Sequence, residues 1–352
     1  MLNGSVRGAR RSIRTPTVIS ALLLLAACGS PAGVSGPVDG AAAMAHVEKI
    51  VALGPRPFGS QNLAKAADYI EAEVTKLGLK LQRHEVELEK EKKTVRNLWT
   101  QIDGDDPASG PILMLGAHYD TKLADGHDDA AHNFPFVGAI DGTGAPAILL
   151  ELARVLKAQK PKCNVWLYWI DAEESIDWVW NDSRALLGSD AFAKKLSADG
   201  TLKRVKAFVL LDLMGSKNLK FDKDGESSSK LMSIFDEAGK ELGIGERMFH
   251  FPTQQTIDWC TQNKRDWGIK DDHLNFKKRG VPSMLLIDFQ LRIPPQNQNL
   301  KAGQQPEINP AYEQWWHSPD DTPAAMDKDS LAIAGNLVMK AFPKLESFVL
   351  GK

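Results

Sequence analysis

The sequence predicts one α/β domain over residues 41–352, built on a mainly parallel, twisted central sheet with helices on both faces. Short, continuous apolar runs of strand length alternate along the chain with segments of helical periodicity. Strands that alternate with helices are typical of a parallel sheet. Such strands are apolar throughout because both faces of the sheet are buried. The sequence contains neither a repeat nor a change in composition that marks a second domain, so we expect a single one.

Two helices are predicted before the first buried strand. Apolar residues at helical spacing over residues 41–53 predict the first, and Gly54–Pro57 ends it. The second begins near Gln61 and ends before Gly78, because a glycine in the left-handed conformation commonly follows a helix. Leu81–Glu89 alternates apolar and charged residues, which predicts an edge strand or an exposed hairpin.

Four continuous apolar runs predict the buried strands of the sheet. They are Ile112–Leu115, Val165–Ile170, Ala207–Leu211 and Met284–Ile287. Apolar residues at helical spacing over residues 148–156 predict a helix between the first two runs. In an open sheet of this kind, ligands bind beyond the carboxyl ends of the strands.

Ionisable residues follow these runs or flank the predicted helices. They are His118, Asp120, Asp141, Asp171, Glu173, Glu174, Asp212 and His317. Each of them alone is explained by a helix cap, a solvated helix start or a packed histidine. Their convergence on one edge of the sheet instead predicts a metal site, because a bound cation neutralises carboxylates that would otherwise repel one another.

Glu173 and Glu174 are the sharpest local signal in the chain. Adjacent side chains diverge at a loop or a helix start, so that one carboxylate can bind a cation while the other faces the substrate. A carboxylate that lies beside a metal without binding it suits general acid/base catalysis, since it can accept and return a proton.

Charge and cysteine content exclude several classes of protein. The 43 basic and 45 acidic side chains nearly cancel, whereas a nucleic-acid-binding protein normally carries a clustered basic excess. Three cysteines cannot supply the ligands of a four-sulfur zinc site, so any metal here is held by carboxylates and histidines. We expect Cys163 and Cys260 to be unpaired, with a disulfide between them as the alternative.

Residues 1–28 are predicted to be a lipoprotein signal peptide. Arginines precede an apolar run over residues 18–27, which is too short to span a bilayer but has the length of a signal-peptide core. Leu25–Cys28 resembles the lipobox of bacterial lipoproteins, which implies cleavage before Cys28 and lipidation of its thiol; an ordinary signal peptide is the alternative. Residues 29–40 predict a flexible tether. We therefore expect an exported protein of the bacterial periplasm or cell envelope, held at a membrane by a lipid anchor only.

Seven stretches in order resemble the zinc-dependent M28 peptidase superfamily, and more closely its glutaminyl cyclase branch. They are Gly54–Ser60, Ala117–Lys122, Gly138–Asp141, Asp171–Glu174, Leu210–Gly215, Asp271–Pro282 and Trp316–Thr322. The resemblance implies a glutaminyl-peptide cyclotransferase, which converts an N-terminal glutamine into pyroglutamate and releases ammonia. It implies peptide or protein N-termini as substrates, and we expect a monomer.

The resemblance also implies roles for individual residues. One zinc ion would be held by Asp141, Glu174 and His317. Glu173 would be the general acid/base, with Asp212 and Asp271 as its hydrogen-bonded acidic partners. Asp120 would orient His118. Trp316 would form one wall of the substrate pocket, and Trp178 another, with Trp180 as the alternative to Trp178.

Two other functions remain open from the sequence. In an M28 aminopeptidase with two zinc ions, Asp141 would bridge the metals, and His118 and Asp212 would complete the second metal site. A lipid-anchored binding protein on a degenerate peptidase scaffold is the third hypothesis, but it requires the loss of a metal ligand or of Glu173, and all of these are present. The tryptophan before His317 and the long Asp271–Pro282 stretch favour the cyclase.

Overall fold

A six-stranded sheet forms the centre of the structure, a computed structural model that describes residues 36–124, 132–264, 267–289 and 315–352. The strands are β1 (Leu81–Leu88), β2 (Lys93–Ile102), β3 (Ile112–His118), β4 (Asn164–Ile170), β5 (Val205–Asp212) and β6 (Ser283–Ile287). The four predicted apolar runs lie in β3, β4, β5 and β6, one in each strand, and every residue of these runs is buried. The predicted edge strand is β1.

The strands lie in the order β1-β2-β4-β3-β5-β6. Strands β4, β3, β5 and β6 run parallel to one another. The β1–β2 hairpin extends the sheet on one side, where β1 pairs antiparallel with β2 and β2 pairs antiparallel with β4. The prediction of a mainly parallel sheet is therefore confirmed, with an antiparallel hairpin added at one edge.

Eight α-helices of the described residues flank this sheet. They are α1 (Gly40–Val51), α2 (Gln61–Lys76), α3 (Ala145–Gln159), α4 (Leu187–Ala198), α5 (Ser229–Glu241), α6 (Gln254–Gln262), α7 (His273–Lys277) and α8 (Lys328–Val349). Neighbouring residues of β4 show that both faces are covered. Tyr168 packs against Phe192 of α4 and Phe276 of α7, whereas the indole of Trp169 donates to the carbonyl of Pro146 on α3. Since successive side chains of a strand point to opposite faces, α3 lies opposite α4 and α7.

The two N-terminal helices begin and end as their sequences predict. The Asp39 carboxylate accepts hydrogen bonds from the first amides of α1, and the Ser60 hydroxyl accepts one from Leu63 of α2. Such caps satisfy amides that have no partner inside the helix. Gly78 follows α2 with a φ of +68°, which is the left-handed conformation that favours glycine.

The structure differs from the sequence prediction at the end of the tether. Residues 36–40 were assigned to it, yet they pack against the domain. Val38 is buried, and its N–H donates to the side-chain oxygen of Asn336 on α8 at 3.0 Å. Burial of a valine side chain contributes about 1.5–3 kcal/mol, which offsets part of the entropy lost when these residues are ordered. All described residues belong to one compact unit.

The predictions for the thiols and the N-terminus have different outcomes. Cys163 and Cys260 are buried and form no disulfide with each other, so the prediction of separate thiols is confirmed.

Cys28 and the predicted signal peptide at 1–28 lie outside the described residues. Within the described residues, no helix has both the length and the apolar character that crossing a bilayer requires.

Candidate metal centre and active site

The carboxyl ends of the parallel strands carry the candidate site. Strand β3 ends at His118 and β5 ends at Asp212, while Glu173 and Glu174 follow β4 by three and four residues. Because these strands are parallel, their carboxyl ends lie at one edge of the sheet, where ligands of α/β proteins bind. The fold therefore brings residues that are far apart in the sequence close together at this edge.

Three of the predicted metal ligands converge on a point. The Nε2 atom of His317 lies 3.2 Å from Oε1 of Glu174 and 3.3 Å from Oδ2 of Asp141. One ligand atom from each residue lies within 4.8 Å of the other two. Asp141 comes from the segment that leads into α3, and His317 from the turn before α8. This is the group that the resemblance assigns to the single zinc ion.

A second group of potential ligands shares Asp141. Nε2 of His118 lies 3.3 Å from Oδ1 of Asp141 and 3.0 Å from Oδ1 of Asp212. One ligand atom from each of these three side chains also lies within 4.8 Å of the other two. Asp141 therefore offers one carboxylate oxygen to each group, as a ligand that bridges two ions would.

The charges of the first group fit a divalent cation. Burial lowers the pKa of His317, but the carboxylates of Glu174 and Asp141 outweigh it and raise that pKa to about 9. Burial raises the pKa of Asp141, but hydrogen bonds from His118 and His317 lower it to well below its ordinary value. The buried carboxylates are thus stabilised by positive charge. A metal ion would supply that charge and leave the imidazole of His317 neutral, which is the form that binds a metal.

Asp120 holds the two glutamates in place. Its Oδ1 accepts a hydrogen bond from the amide of Glu173 at 3.2 Å, and its Oδ2 accepts one from the amide of Glu174 at 3.3 Å. The same carboxylate lies 3.4 Å from Nδ1 of His118. Asp120 therefore contacts residues of both candidate metal groups. The sequence prediction assigns it only the orientation of His118.

Glu173 lies in a cluster of buried carboxyl groups. Burial, and then the charge of Asp271, raises the pKa of Glu173 well above its ordinary value. Burial and the charge of Asp212 do the same for the pKa of Asp271. Among the hydrogen bonds of the described residues, none joins Glu173 to Asp212 or Asp271, whereas the resemblance implies such bonds. Asp212 bonds to His118 instead, and Asp271 accepts a hydrogen bond from the amide of Asp272. Because each charge raises the pKa of its neighbour, the titration of one of these carboxyl groups depends on the protonation of the others.

Arg56 and Asp321 clamp the segment that carries Asp141, and the sequence prediction assigns a role to neither of them. The fully buried guanidinium of Arg56 donates to the carbonyls of Val137 and Gly138 at 3.0 and 3.3 Å. On the other side, the carboxylate of Asp321 accepts hydrogen bonds from the amides of Ile140 and Asp141 at 2.7 and 3.1 Å. Both residues lie inside the stretches that resemble the family, which is the only sequence signal that pointed to them.

Lys122 is a third residue without a role in the sequence prediction. Its buried ammonium donates to the carbonyls of Ser175 and Asp177 at 2.7 and 2.8 Å and lies 3.7 Å from Oε2 of Glu174. It therefore fixes the loop that follows the paired glutamates. A buried ammonium needs acceptors for its N–H groups, and two carbonyls of this loop provide them.

The catalytic cavity, as we call the space beside these ligands, has a volume of about 270 Å³. Its polar lining includes Asp141, Glu173, Glu174, Asp212, Asp271 and His317. Its apolar lining includes Trp180, Ile287, Phe289 and Trp316. The Trp316 ring stacks on His317 with ring centres 4.0 Å apart and an angle of 16°. The cavity thus places an indole wall beside the candidate metal ligands.

Trp178 and Trp180 occupy different positions. The Trp178 ring stacks on His132 at 4.0 Å and lies 5.9 Å from His317. Trp180 lines the catalytic cavity, with 37% of its surface exposed. The structure therefore favours Trp180, the alternative in the sequence prediction, as the second indole of the pocket.

The fold and the converging side chains define an α/β protein with a candidate metal centre at the carboxyl edge of its sheet. Residues 97–342 match the model of Peptidase family M28. The chain belongs to this family, as its sequence stretches predict.

Curated relatives point to one branch of the family. A glutaminyl-peptide cyclotransferase of Drosophila melanogaster is 29% identical over 243 residues, which cover 65% of this chain and 60% of the relative. One of Bos taurus is 26% identical over 249 residues, which cover 64% of this chain and 60% of the relative. The matched residues span about 60% of the length of these two proteins.

Solved structures match over more of the chain. A glutaminyl cyclase of an Acidobacteriales bacterium superposes with a TM-score of 0.70 at 28% identity, covering 91% of this chain and 99% of that one. A zinc-dependent exopeptidase of Parabacteroides distasonis gives a TM-score of 0.69 at 23% identity, covering 90% and 99%. The second likeness concerns the fold alone.

Proposed function

We propose that this protein is a zinc-dependent glutaminyl-peptide cyclotransferase. The observation that carries the proposal is its likeness to the Acidobacteriales glutaminyl cyclase, which covers nearly all of both chains. The names of the curated relatives agree with it. The substrates would be peptides or proteins whose first residue is glutamine.

The donor set of the first ligand group suits zinc. Zinc binds carboxylate and imidazole ligands, and catalytic zinc sites combine three protein ligands with a position left for substrate. We assign one ion to Asp141, Glu174 and His317. A zinc ion held there would polarise the γ-amide carbonyl of the substrate glutamine and stabilise negative charge on that oxygen.

Glu173 carries a proton through the reaction. Its carboxylate accepts the proton from the α-amino group of the substrate, whose nitrogen attacks the γ-amide carbon. The new carbon–nitrogen bond closes a five-membered ring. Glu173 then returns the proton to the γ-amide nitrogen, whose bond to carbon breaks so that ammonia leaves. Asp212 and Asp271 support this role through their charge, because they raise the proton affinity of the cluster that contains Glu173.

The aromatic wall positions the substrate. Trp316 stacks on His317 and lines the catalytic cavity together with Trp180. Flat indoles pack well against a small ring that is about to close, and they limit the water that reaches the site. The small cavity suits one glutaminyl residue and the peptide bond that follows it.

Product analysis tests the proposal. Protein supplied with zinc is incubated with a peptide that begins Gln-Ala and with a matched peptide that begins Leu-Ala, and the products are identified by mass spectrometry. We expect loss of ammonia from the first peptide and no change in the second. Release of free leucine would instead establish an aminopeptidase.

An M28 aminopeptidase is the second candidate function. The observation that favours it is the second ligand group of His118, Asp141 and Asp212, which has the geometry of a metal site. With two ions, Glu173 would accept a proton from the attacking water. Metal analysis separates the candidates, because we expect one zinc ion per chain for the cyclase and two for the aminopeptidase.

We further propose that the protein is exported and lipidated at Cys28. The arginine-rich start, the short apolar run and the lipobox-like Leu25–Cys28 support this proposal. A Cys28→Ser variant of the full chain expressed in a bacterium tests it. We expect the unaltered chain in the membrane fraction, extractable with detergent, and the variant outside that fraction. Equal amounts of both in the membrane fraction would contradict lipid anchoring.

A further inference from the structure

A second concavity adjoins the catalytic cavity. This groove, which we call the outer groove, has a volume of about 720 Å³. Its lining shares Trp180, Gly268 and Lys270 with the catalytic cavity. Leu186 and Leu274 contribute apolar surface to it. The two spaces therefore lie on either side of these shared residues.

Three side chains form a lip between the two spaces. The indole N–H of Trp180 donates to Oδ1 of Asp182 at 2.6 Å. The ammonium of Lys270 lies 2.8 Å from the same oxygen and 3.0 Å from the other one. Trp180 and Asp182 follow β4, whereas Lys270 precedes α7. The ion pair thus joins the two segments that border both spaces, and the hydrogen bond fixes the indole of Trp180 at the boundary.

We propose that the outer groove binds the third and following residues of a peptide substrate, and that it favours acidic side chains there. The inference rests on the proposed function, because an enzyme that modifies the first residue must lead the rest of the chain out of its cavity. A cavity of about 270 Å³ is at the lower limit of ligand-sized pockets. An extended chain advances about 3.3–3.6 Å with each residue, so the third residue already lies beyond the lip.

The charges that line the outer groove explain why it would favour acidic side chains of a peptide. Its three acidic residues already have basic partners, since Asp182 pairs with Lys270, Asp190 with Arg279 and Lys194, and Glu226 with Lys277. Lys278 also lines the groove, and its exposed ammonium has no carboxylate within 4.0 Å among the ion pairs of the described residues. An acidic side chain of a bound peptide would supply that partner.

Binding rather than turnover tests the outer groove. Zinc-loaded Glu173→Gln protein, which the proposed mechanism makes inactive, is titrated by calorimetry with Gln-Ala-Asp-Asp-Ala, with Gln-Ala-Lys-Lys-Ala and with the dipeptide Gln-Ala. We expect both pentapeptides to bind more tightly than the dipeptide. We expect the acidic pentapeptide to bind about two- to fivefold more tightly than the basic one, the size of effect that exposed ion pairs produce.

Two charge reversals make the test specific. Adding Lys278→Glu should remove or invert the preference for the acidic pentapeptide. Adding Lys203→Glu, which changes an exposed lysine outside both spaces, should leave it unchanged. Equal affinities of the two pentapeptides, or a preference that survives Lys278→Glu, would overturn the proposal. Failure of the proposed function shows separately, as the absence of ammonia when wild-type protein meets Gln-Ala, and the groove is then judged by these affinities alone.

Discussion

Arg56 shows how one buried side chain shapes the candidate metal centre. Its guanidinium is 0% exposed, and its hydrogen bonds reach carbonyls on both sides of the clamp, at Gly54, Val137 and Gly138. Burial lowers the pKa of Arg56 to about 10, against the opposing charges of Asp321 and its neighbours. The side chain therefore stays charged at neutral pH while fully enclosed, and its donors replace water for the carbonyls around Asp141.

Replacing Arg56 should cost much more than replacing a surface arginine. Arg56→Met leaves buried carbonyls without a donor, at about 1–3 kcal/mol each. We expect the free energy of unfolding to fall by about 3 kcal/mol or more, measured by denaturant titration. Arg83→Met is the matched control, because Arg83 forms partly exposed ion pairs with Asp68 and Glu71, which contribute about 1 kcal/mol or less. Equal losses in the two variants would contradict the clamp.

Gly142 leaves room for the ring of His118. A Cβ atom at this position would lie 2.4 Å from Cε1 of His118 and 2.7 Å from the carbonyl oxygen of Asp120. Gly142→Ala should therefore displace His118 and the adjacent Asp141. We expect lower zinc content in the purified protein and a lower melting temperature. Gly245→Ala is the control, since its Cβ would meet only an ordinary contact at 3.6 Å, and a similar loss of zinc in both variants would contradict this account.

The parallel strands explain how much of the site could be predicted. Parallel strands place their carboxyl ends together whatever the order of pairing, so the residues after β3, β4 and β5 converge by topology alone. Asp141 and His317 do not follow strands of the parallel sheet, and their assignment as ligands of one zinc ion depended on the family resemblance. Sequence periodicity predicts where elements lie, but it carries no information on which loop returns to the sheet edge.

The residues that sequence analysis missed or misplaced depend on loop backbone. Arg56 donates to backbone carbonyls. Every residue has such a carbonyl, so the pattern of side chains does not predict which ones will accept. The choice between Trp178 and Trp180 depends on the path of the loop after Glu174, which Lys122 fixes through the carbonyls of Ser175 and Asp177. Spacing along the chain cannot resolve two tryptophans separated by one residue in an irregular loop.

The contact between α1 and α2 gives a pH-dependent stability far from the metal centre. Nδ1 of His46 on α1 lies 2.8 Å from the hydroxyl of Tyr69 on α2. Burial lowers the pKa of His46, in opposition to the charge of Glu73. The folded protein thus prefers the neutral ring, so this contribution to stability is present above the unfolded pKa of about 6.5 and is lost as the pH falls below it.

Unfolding titrations at pH 7.5 and pH 5 test the His46 contact. Wild-type protein should lose stability relative to His46→Gln as the pH falls, because glutamine does not titrate. His250→Gln, which changes an exposed histidine, is the control for the general effect of acid. A stability difference between wild type and His46→Gln that is the same at both pH values would contradict the assignment.

The whole domain is organised around a buried concentration of negative charge. Asp120, Asp141, Asp212, Asp271 and Glu174 are all buried at one edge of the sheet. The buried cations Arg56 and Lys122 compensate part of this charge, and protons compensate more of it when no metal is bound, as the raised pKa of His317 shows. Buried carboxylates oppose folding unless positive charge compensates them, so we expect a metal ion bound at the candidate site to stabilise the fold.

Metal removal should therefore destabilise the protein. A ligand that binds only the folded state at 1,000 times its Kd contributes about 4 kcal/mol. We expect dialysis against a chelator to lower the melting temperature by several degrees, and added zinc to restore it. Magnesium, which prefers oxygen ligands in octahedral geometry, is the control and should restore less. A melting temperature that does not change on chelation would contradict the coupling.

The most direct test of the proposed chemistry compares ammonia release from a Gln-Ala peptide by wild-type protein and by Glu173→Gln, with zinc measured in both. Glu173 is proposed to move the proton without binding the metal. The variant should therefore keep its zinc and release ammonia at least about 100-fold more slowly, as the loss of a general acid/base requires. A Glu173→Gln protein that retains zinc and releases ammonia at the wild-type rate would contradict the account.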